Sequence, residues 1–166
     1  MNITDFTPGK YDAFEGKTSV WGTRNVRIAV AFPNEAEGKE DEYLAKYLVS
    51  INEKLGWIEQ NRQKVEQALL DNDIVSLAED WASSAEEAED EAQECYVMED
   101  GQKVFLPISD EDFCKSLNLV TIALYFDEEI SNMELYLVCK PDYFACHCIM
   151  ATINAENQVK CGGLAG

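Results

Sequence analysis

Leu44, Leu48, Ile51, Leu55, Ile58, Arg62, Val65 and Leu69 recur at alternating spacings of four and three, a helical period inside a chain otherwise rich in strand signals. The spacing predicts an apolar stripe on one helix over residues 39–70, broadened by Tyr43, Tyr47 and Ala68. Such a helix needs a surface to lie on. A coiled-coil partner would supply one, but Gly56 and Arg62 weaken the seam and the tyrosines widen the face, which favours packing on a sheet.

The sheet is foreshadowed on both sides. Val26, Ile28, Val30 and Phe32 alternate with Asn25, Arg27, Ala29 and Ala31, and Pro33 ends the run. Glu15-Gly16 and Gly22-Thr23 read as turns of an N-terminal β-meander. Residues 119–126, 133–139, 144–153 and 158–161 read as strands joined by short polar turns, and strands so connected pair antiparallel. Between these regions, Asp71-Asn72-Asp73 is a turn and N-cap signal before a second stripe of Ile74, Leu77, Ala78 and Trp81. Glu99-Asp100-Gly101-Gln102 sits at the tip of a small hairpin, and Ser109 opens a short capped helix. The fold class is therefore α+β: antiparallel β-meanders packed against one long amphipathic helix and shorter helices. Residues 1–166 are expected to form a single domain, with 82–94 an acidic loop or a solvated helix.

Charge narrows the function. With 32 acidic against 13 basic residues, the formal charge is −19. Such a surface repels phosphate backbones and anionic headgroups, so neither nucleic acid nor membrane is an expected partner. A basic protein would be attracted instead, and Glu86, Glu87, Glu89, Asp90 and Glu91 form the densest acidic run to meet it. No leader pattern opens the chain and no segment approaches the roughly 20 apolar residues of a spanning helix, so a cytoplasmic location is expected, with the six cysteines reduced.

Catalytic signals are incomplete. His147, the single histidine, is flanked by Cys146 and Cys148. If residues 144–153 form a strand, these cysteines lie about 6.5 Å apart and His147 faces the opposite side, whereas sulfurs on one zinc come within about 4 Å. No metal site and no cofactor is expected. Opposite faces also separate the imidazole from either adjacent thiol, so a thiol nucleophile is not supported. Phosphate-cradling glycine loops and the Gly-x-Ser-x-Gly turn are absent. Asp142, Phe144 and His147 remain the candidate functional residues, and no catalytic residue is assigned.

The sequence Asp142-x-Phe144-x-x-His147-x-Ile149, followed by Leu164-Ala165-Gly166, resembles the C-terminal signature of the bacterial domain-of-unknown-function family DUF2262. The resemblance extends to an early tyrosine-and-glycine hairpin between Tyr11 and Gly22, a helix containing Trp57 and a later helix ending near Trp81. Family members usually carry glycine where this chain has Cys146. The resemblance implies a compact α+β fold in a bacterial cytosolic protein and supplies no activity. Two functions follow from these readings. One is a non-enzymatic interaction module, of which an immunity-type protein binding a basic toxin through its acidic face is one form. The other is a small hydrolase or ligand-binding domain with a pocket near Asp142 and His147.

Overall fold

The computed structural model describes residues 1–10, 14–88, 93–127 and 130–166. Tyr11, Glu89, Asp90 and Glu91 lie outside the described residues. The class is α+β, with four α-helices and ten strands among the described residues.

Seven strands form the main sheet. β1 (Phe6–Pro8), β2 (Phe14–Val20) and β3 (Thr23–Ala31) make an antiparallel meander, and β7 (Leu117–Phe126), β8 (Ile130–Cys139), β9 (Cys148–Asn154) and β10 (Val159–Ala165) make a second. The two are sewn into one sheet by β3 and β7, which pair parallel from Arg27↔Thr121 to Ala31↔Tyr125. A parallel pair needs a long crossover. Here the crossover carries α1 (Glu40–Gln60), α2 (Arg62–Leu70), α3 (Ile74–Ala82), a small sheet of β4 (Glu86–Glu87), β5 (Cys95–Val97) and β6 (Lys103–Phe105), and α4 (Asp110–Ser116).

Alternation decides which face of the main sheet the helices cover. Val26, Ile28 and Val30 of β3, Ile122 and Leu124 of β7, Met133, Leu135 and Leu137 of β8, and Ile149, Ala151 and Ile153 of β9 are all buried. They meet Leu44, Ile51, Leu55, Ile58, Val65 and Leu69 of the helical stripe in one core. Arg27, Thr121, Glu134, Tyr136 and Thr152 occupy the opposite face.

Several expectations are corrected. The helix over 39–70 is two helices, because Asn61 leaves the helical region at φ −121° and ψ 30°. Its side-chain Nδ2 donates to the Trp57 carbonyl at 2.7 Å, and its backbone N–H reaches only to Ile58, so the turn tightens there. Arg62, on the stripe by spacing, pairs with Glu66 at 2.6 Å and donates to the Cys114 carbonyl at 3.0 Å. Gly16 is not a turn residue but lies inside β2, where an added methyl group would stand 3.1 Å from the Asp5 carbonyl and the Phe6 ring. The tight turn expected at Gly22-Thr23 falls one residue earlier, on Trp21 and Gly22, both at positive φ, and Thr23 opens β3. Asp73 precedes α3 in a left-handed conformation without a side-chain cap, whereas Ser109 caps α4 by accepting from the Asp112 N–H at 3.1 Å. In the acidic stretch expected as loop or helix, Glu86 and Glu87 are a strand, paired with Val97 and Tyr96.

Candidate functional site

The segment before β9, expected as strand from Phe144, is a turn over residues 143–146. Ala145 and Cys146 both have positive φ, +48° and +67°, which an extended strand cannot accommodate. Asp142 shapes the turn from below. Its carboxylate accepts the Cys146 N–H at 2.8 Å and the Phe144 N–H at 3.3 Å, an aspartate-to-backbone pattern that stabilises turns. The left-handed φ at Cys146 is one that glycine adopts without strain.

Aromatic packing anchors this turn to the crossover. Tyr143 stacks on Phe113 of α4 with ring centroids 6.3 Å apart, and Phe144, fully buried, meets Trp81 of α3 edge-on at 6.0 Å. Phe144 is thus a core residue. His147 sits on the same indole, 5.3 Å away and edge-on. Its Nδ1 lies 2.8 Å from the Phe144 carbonyl and 3.2 Å from that of Ala145. Carbonyls only accept, so Nδ1 carries a proton. A methyl group added to Gly166 would run into the ring, so Gly166 lies close against the imidazole.

The turn changes the argument about thiol chemistry without creating a nucleophile. Cys146 is exposed, but the hydrogen bond and charge of Asp142 hold its thiol above the ordinary value, with Glu99 and Asp100 adding to the effect. Burial, then Asp142, raises Cys148 as well. Cys139 is pushed up to about 12 and Cys114 to about 11, chiefly by burial. A thiolate nucleophile needs the opposite environment. Among the described residues no three His, Cys, Asp or Glu side chains are grouped to hold a metal ion, and no helix is long and apolar enough to cross a membrane.

What the fold does assemble is carboxylate. The Asp142 N–H donates to Asp100 Oδ2 at 3.1 Å, fastening the turn before β9 to the β5–β6 hairpin. Glu99 and Asp100 at the hairpin tip, and Glu86, Glu87 and Glu94 at or beside the strands of the small sheet, are all exposed. Glu94 accepts the Tyr96 hydroxyl at 2.8 Å, and Tyr96 also feels the charge of Glu87. The candidates Asp142 and His147 and the candidates Glu86 and Glu87 therefore belong to segments joined by that one bond. Glu99 and Asp100 were legible only as a turn, since nothing local in the sequence announces their meeting with Asp142. A second unheralded group lies on the uncovered face of the main sheet, where Tyr125 and Tyr136 both donate to Glu134 Oε2, at 3.0 and 2.7 Å.

No curated protein and no solved structure matches the chain. The family model described as "Uncharacterized protein conserved in bacteria (DUF2262)" matches residues 3–164, a span that runs from before the first strand through the turn before β9 to the penultimate residue of the last strand. The chain belongs to the DUF2262 family of bacterial proteins.

Proposed function

We propose that this protein is a non-enzymatic binding module that receives a basic partner protein on the acidic face formed by the small β4–β6 sheet and the Asp142 turn. The observation that carries this reading is the bond from the Asp142 N–H to Asp100, which holds Glu99, Asp100 and Asp142 together beside the exposed Cys146. Like charges gather at a cost, and a cluster of two exposed carboxylates and one half-buried carboxylate suits a ligand of opposite sign. Glu86, Glu87 and Glu94 extend the face along the small sheet, and the formal charge of −19 adds a long-range field of the same sign. Rim carboxylates of this kind raise association rates more than they slow dissociation. An immunity-type role, in which the face neutralises a basic toxin, is one form of this function.

The hydrolase alternative is less well supported, since it needs an activated nucleophile beside His147 and both neighbouring thiols are shifted away from the thiolate. The test begins with a partner captured from the native bacterium at low salt. Association with that partner is then compared for the wild type and for a Glu86→Gln, Glu87→Gln, Glu99→Gln, Asp100→Asn variant. We expect association to slow by about tenfold or more, with most of the salt dependence gone. A partner whose association ignores both salt and the four substitutions rules the acidic face out.

A further inference from the structure

Three of the chain's 13 cationic residues, Lys103, Lys115 and Lys140, line one groove of about 300 Å³. They arrive from three places: the start of β6, the last turn of α4 and the end of β8. The floor is apolar and well packed, with Val104, Ile108 and Tyr143 buried, and Phe105 stands beside it with 44% of its surface exposed. A volume at the lower end of ligand clefts, roughly 300–1,000 Å³, admits one small molecule.

Local chemistry favours an anion there. The C-terminal end of α4 faces the groove, and its carbonyls would oppose negative charge if they were open. Three of the last four are occupied: the Phe113 carbonyl accepts the Ser116 hydroxyl at 2.7 Å, that of Cys114 accepts Arg62 at 3.0 Å, and that of Ser116 accepts the Lys140 N–H at 2.9 Å. Asp112 also lines the groove, with one of its oxygens accepting the Ser109 hydroxyl at 2.7 Å. Lys115 is paired with Glu111 at 2.6 Å on the open surface, an exposed pair that a competing anion can exchange. The Lys140 ammonium has no partner among the described residues.

We propose that this groove binds a small molecule bearing a phosphate group, held by Lys103, Lys115 and Lys140, with an apolar or aromatic body laid against Phe105 and the Val104–Ile108 floor. Lysine ammoniums serve as point charges for phosphate, and an exposed ring is a stacking surface. The acidic remainder of the molecule sets the size limit. Charges farther than the Debye length of about 8 Å at physiological salt are screened, so a small ligand feels chiefly the three lysines set against Asp112 and the Glu111 paired to Lys115, whereas a polyanion would run out over further carboxylates. The groove therefore selects small phosphorylated ligands and rejects nucleic acid strands.

The test is an NMR titration of the full chain, with amide signals read residue by residue, using adenosine monophosphate, inorganic phosphate and a short RNA as probes. We expect adenosine monophosphate to move the signals of residues 103–105, 115–116 and 140–143 and to bind tighter than inorganic phosphate, with the RNA weakest. Lys140→Gln weakens the nucleotide about tenfold, Lys140→Arg retains most of the affinity, and Lys17→Gln, on the distant β2, changes nothing. Still signals at these residues up to about 10 mM nucleotide overturn the proposal, as does equal binding by the Lys140→Gln and Lys17→Gln variants. A nucleotide no better than phosphate removes the apolar body, and an RNA bound as tightly removes the size selection. Since no partner protein takes part, this outcome is independent of the acidic-face reading.

Discussion

The N–H of Asp142 donates to the carboxylate of Asp100 across 3.1 Å, so two residues 42 positions apart in sequence share one surface. The exposed thiol of Cys146 sits within the field of both and of Glu99. It is a built-in reporter of that field, because negative neighbours disfavour the thiolate.

Alkylation of Cys146 reads the cluster directly. Asp142→Asn keeps an oxygen for the turn's N–H groups while removing the charge, and Glu99→Gln with Asp100→Asn removes the rest. Each change lowers the thiol pKa, so iodoacetamide labelling of Cys146 at pH 8, located by mass spectrometry, should accelerate severalfold. Added salt should accelerate the wild type in the same direction by screening. Labelling that does not change in the three-site variant would mean that the carboxylates are not felt at the sulfur.

Cys146 also occupies a backbone region costly to residues with a Cβ, at φ +67°. Cys146→Gly relieves that cost and adds some freedom to the unfolded chain, and the first effect is the larger. Urea denaturation should show a gain of up to about 1 kcal/mol. A loss of stability would show that the sulfur's bond to Asp142 outweighs the backbone strain.

Phe144 and His147 share Trp81 but differ in burial. Phe144→Ala empties a fully buried site and should cost about 3–5 kcal/mol. His147→Asn retains a donor for the Phe144 carbonyl and should cost much less, about 1 kcal/mol. Capture of a basic partner should survive the second substitution. Its loss in a folded His147→Asn protein would return His147 to the binding site.

High pH attacks groups that the fold keeps neutral. Burial pushes the Tyr143 phenol up to about 12 and the Cys139 thiol up to about 12, from ordinary values of 10.0 and 9.0. In that window the folded state holds protons that the unfolded chain has released, so stability falls as pH rises from about 9 to 12. Tyr143→Phe removes one of these groups. Its stability, measured by thermal melting across that range, should decline less steeply than that of the wild type, and parallel curves would remove Tyr143 from the account.

The helical stripe was legible because packing leaves its mark as apolar spacing: Ile51, Ile58, Val65 and Leu69 are all buried where the period puts them. The break at Asn61 left no such mark, since one polar residue among exposed neighbours reads the same whether the helix continues or not. The turn over His147 was hidden by Ala145 and Cys146, which have no reputation for left-handed backbone, inside a run rich in β formers. The antiparallel strands from β7 onward followed from short connections, whereas the pairing of β3 with β7 is written nowhere locally. For the same reason Glu86, Glu87 and Asp142 could be named from sequence, and their joining through Asp100 could not. Lys103, Lys115 and Lys140 are isolated letters in the chain and become a group only when β6, α4 and β8 meet.

The parallel seam between β3 and β7 has a mechanical meaning for whatever binds the crossover. The acidic hairpin and the lysine groove both lead through α4 directly into β7, a strand paired with β8 from Leu117 to Phe126 and with β3 from Thr121 to Tyr125. A load applied there reaches the β8 ladder first, at Leu117 to Leu119, and meets ladders on both flanks in shear from Thr121 onward. A bound partner would thus pull on a strand whose far half is locked between two neighbours.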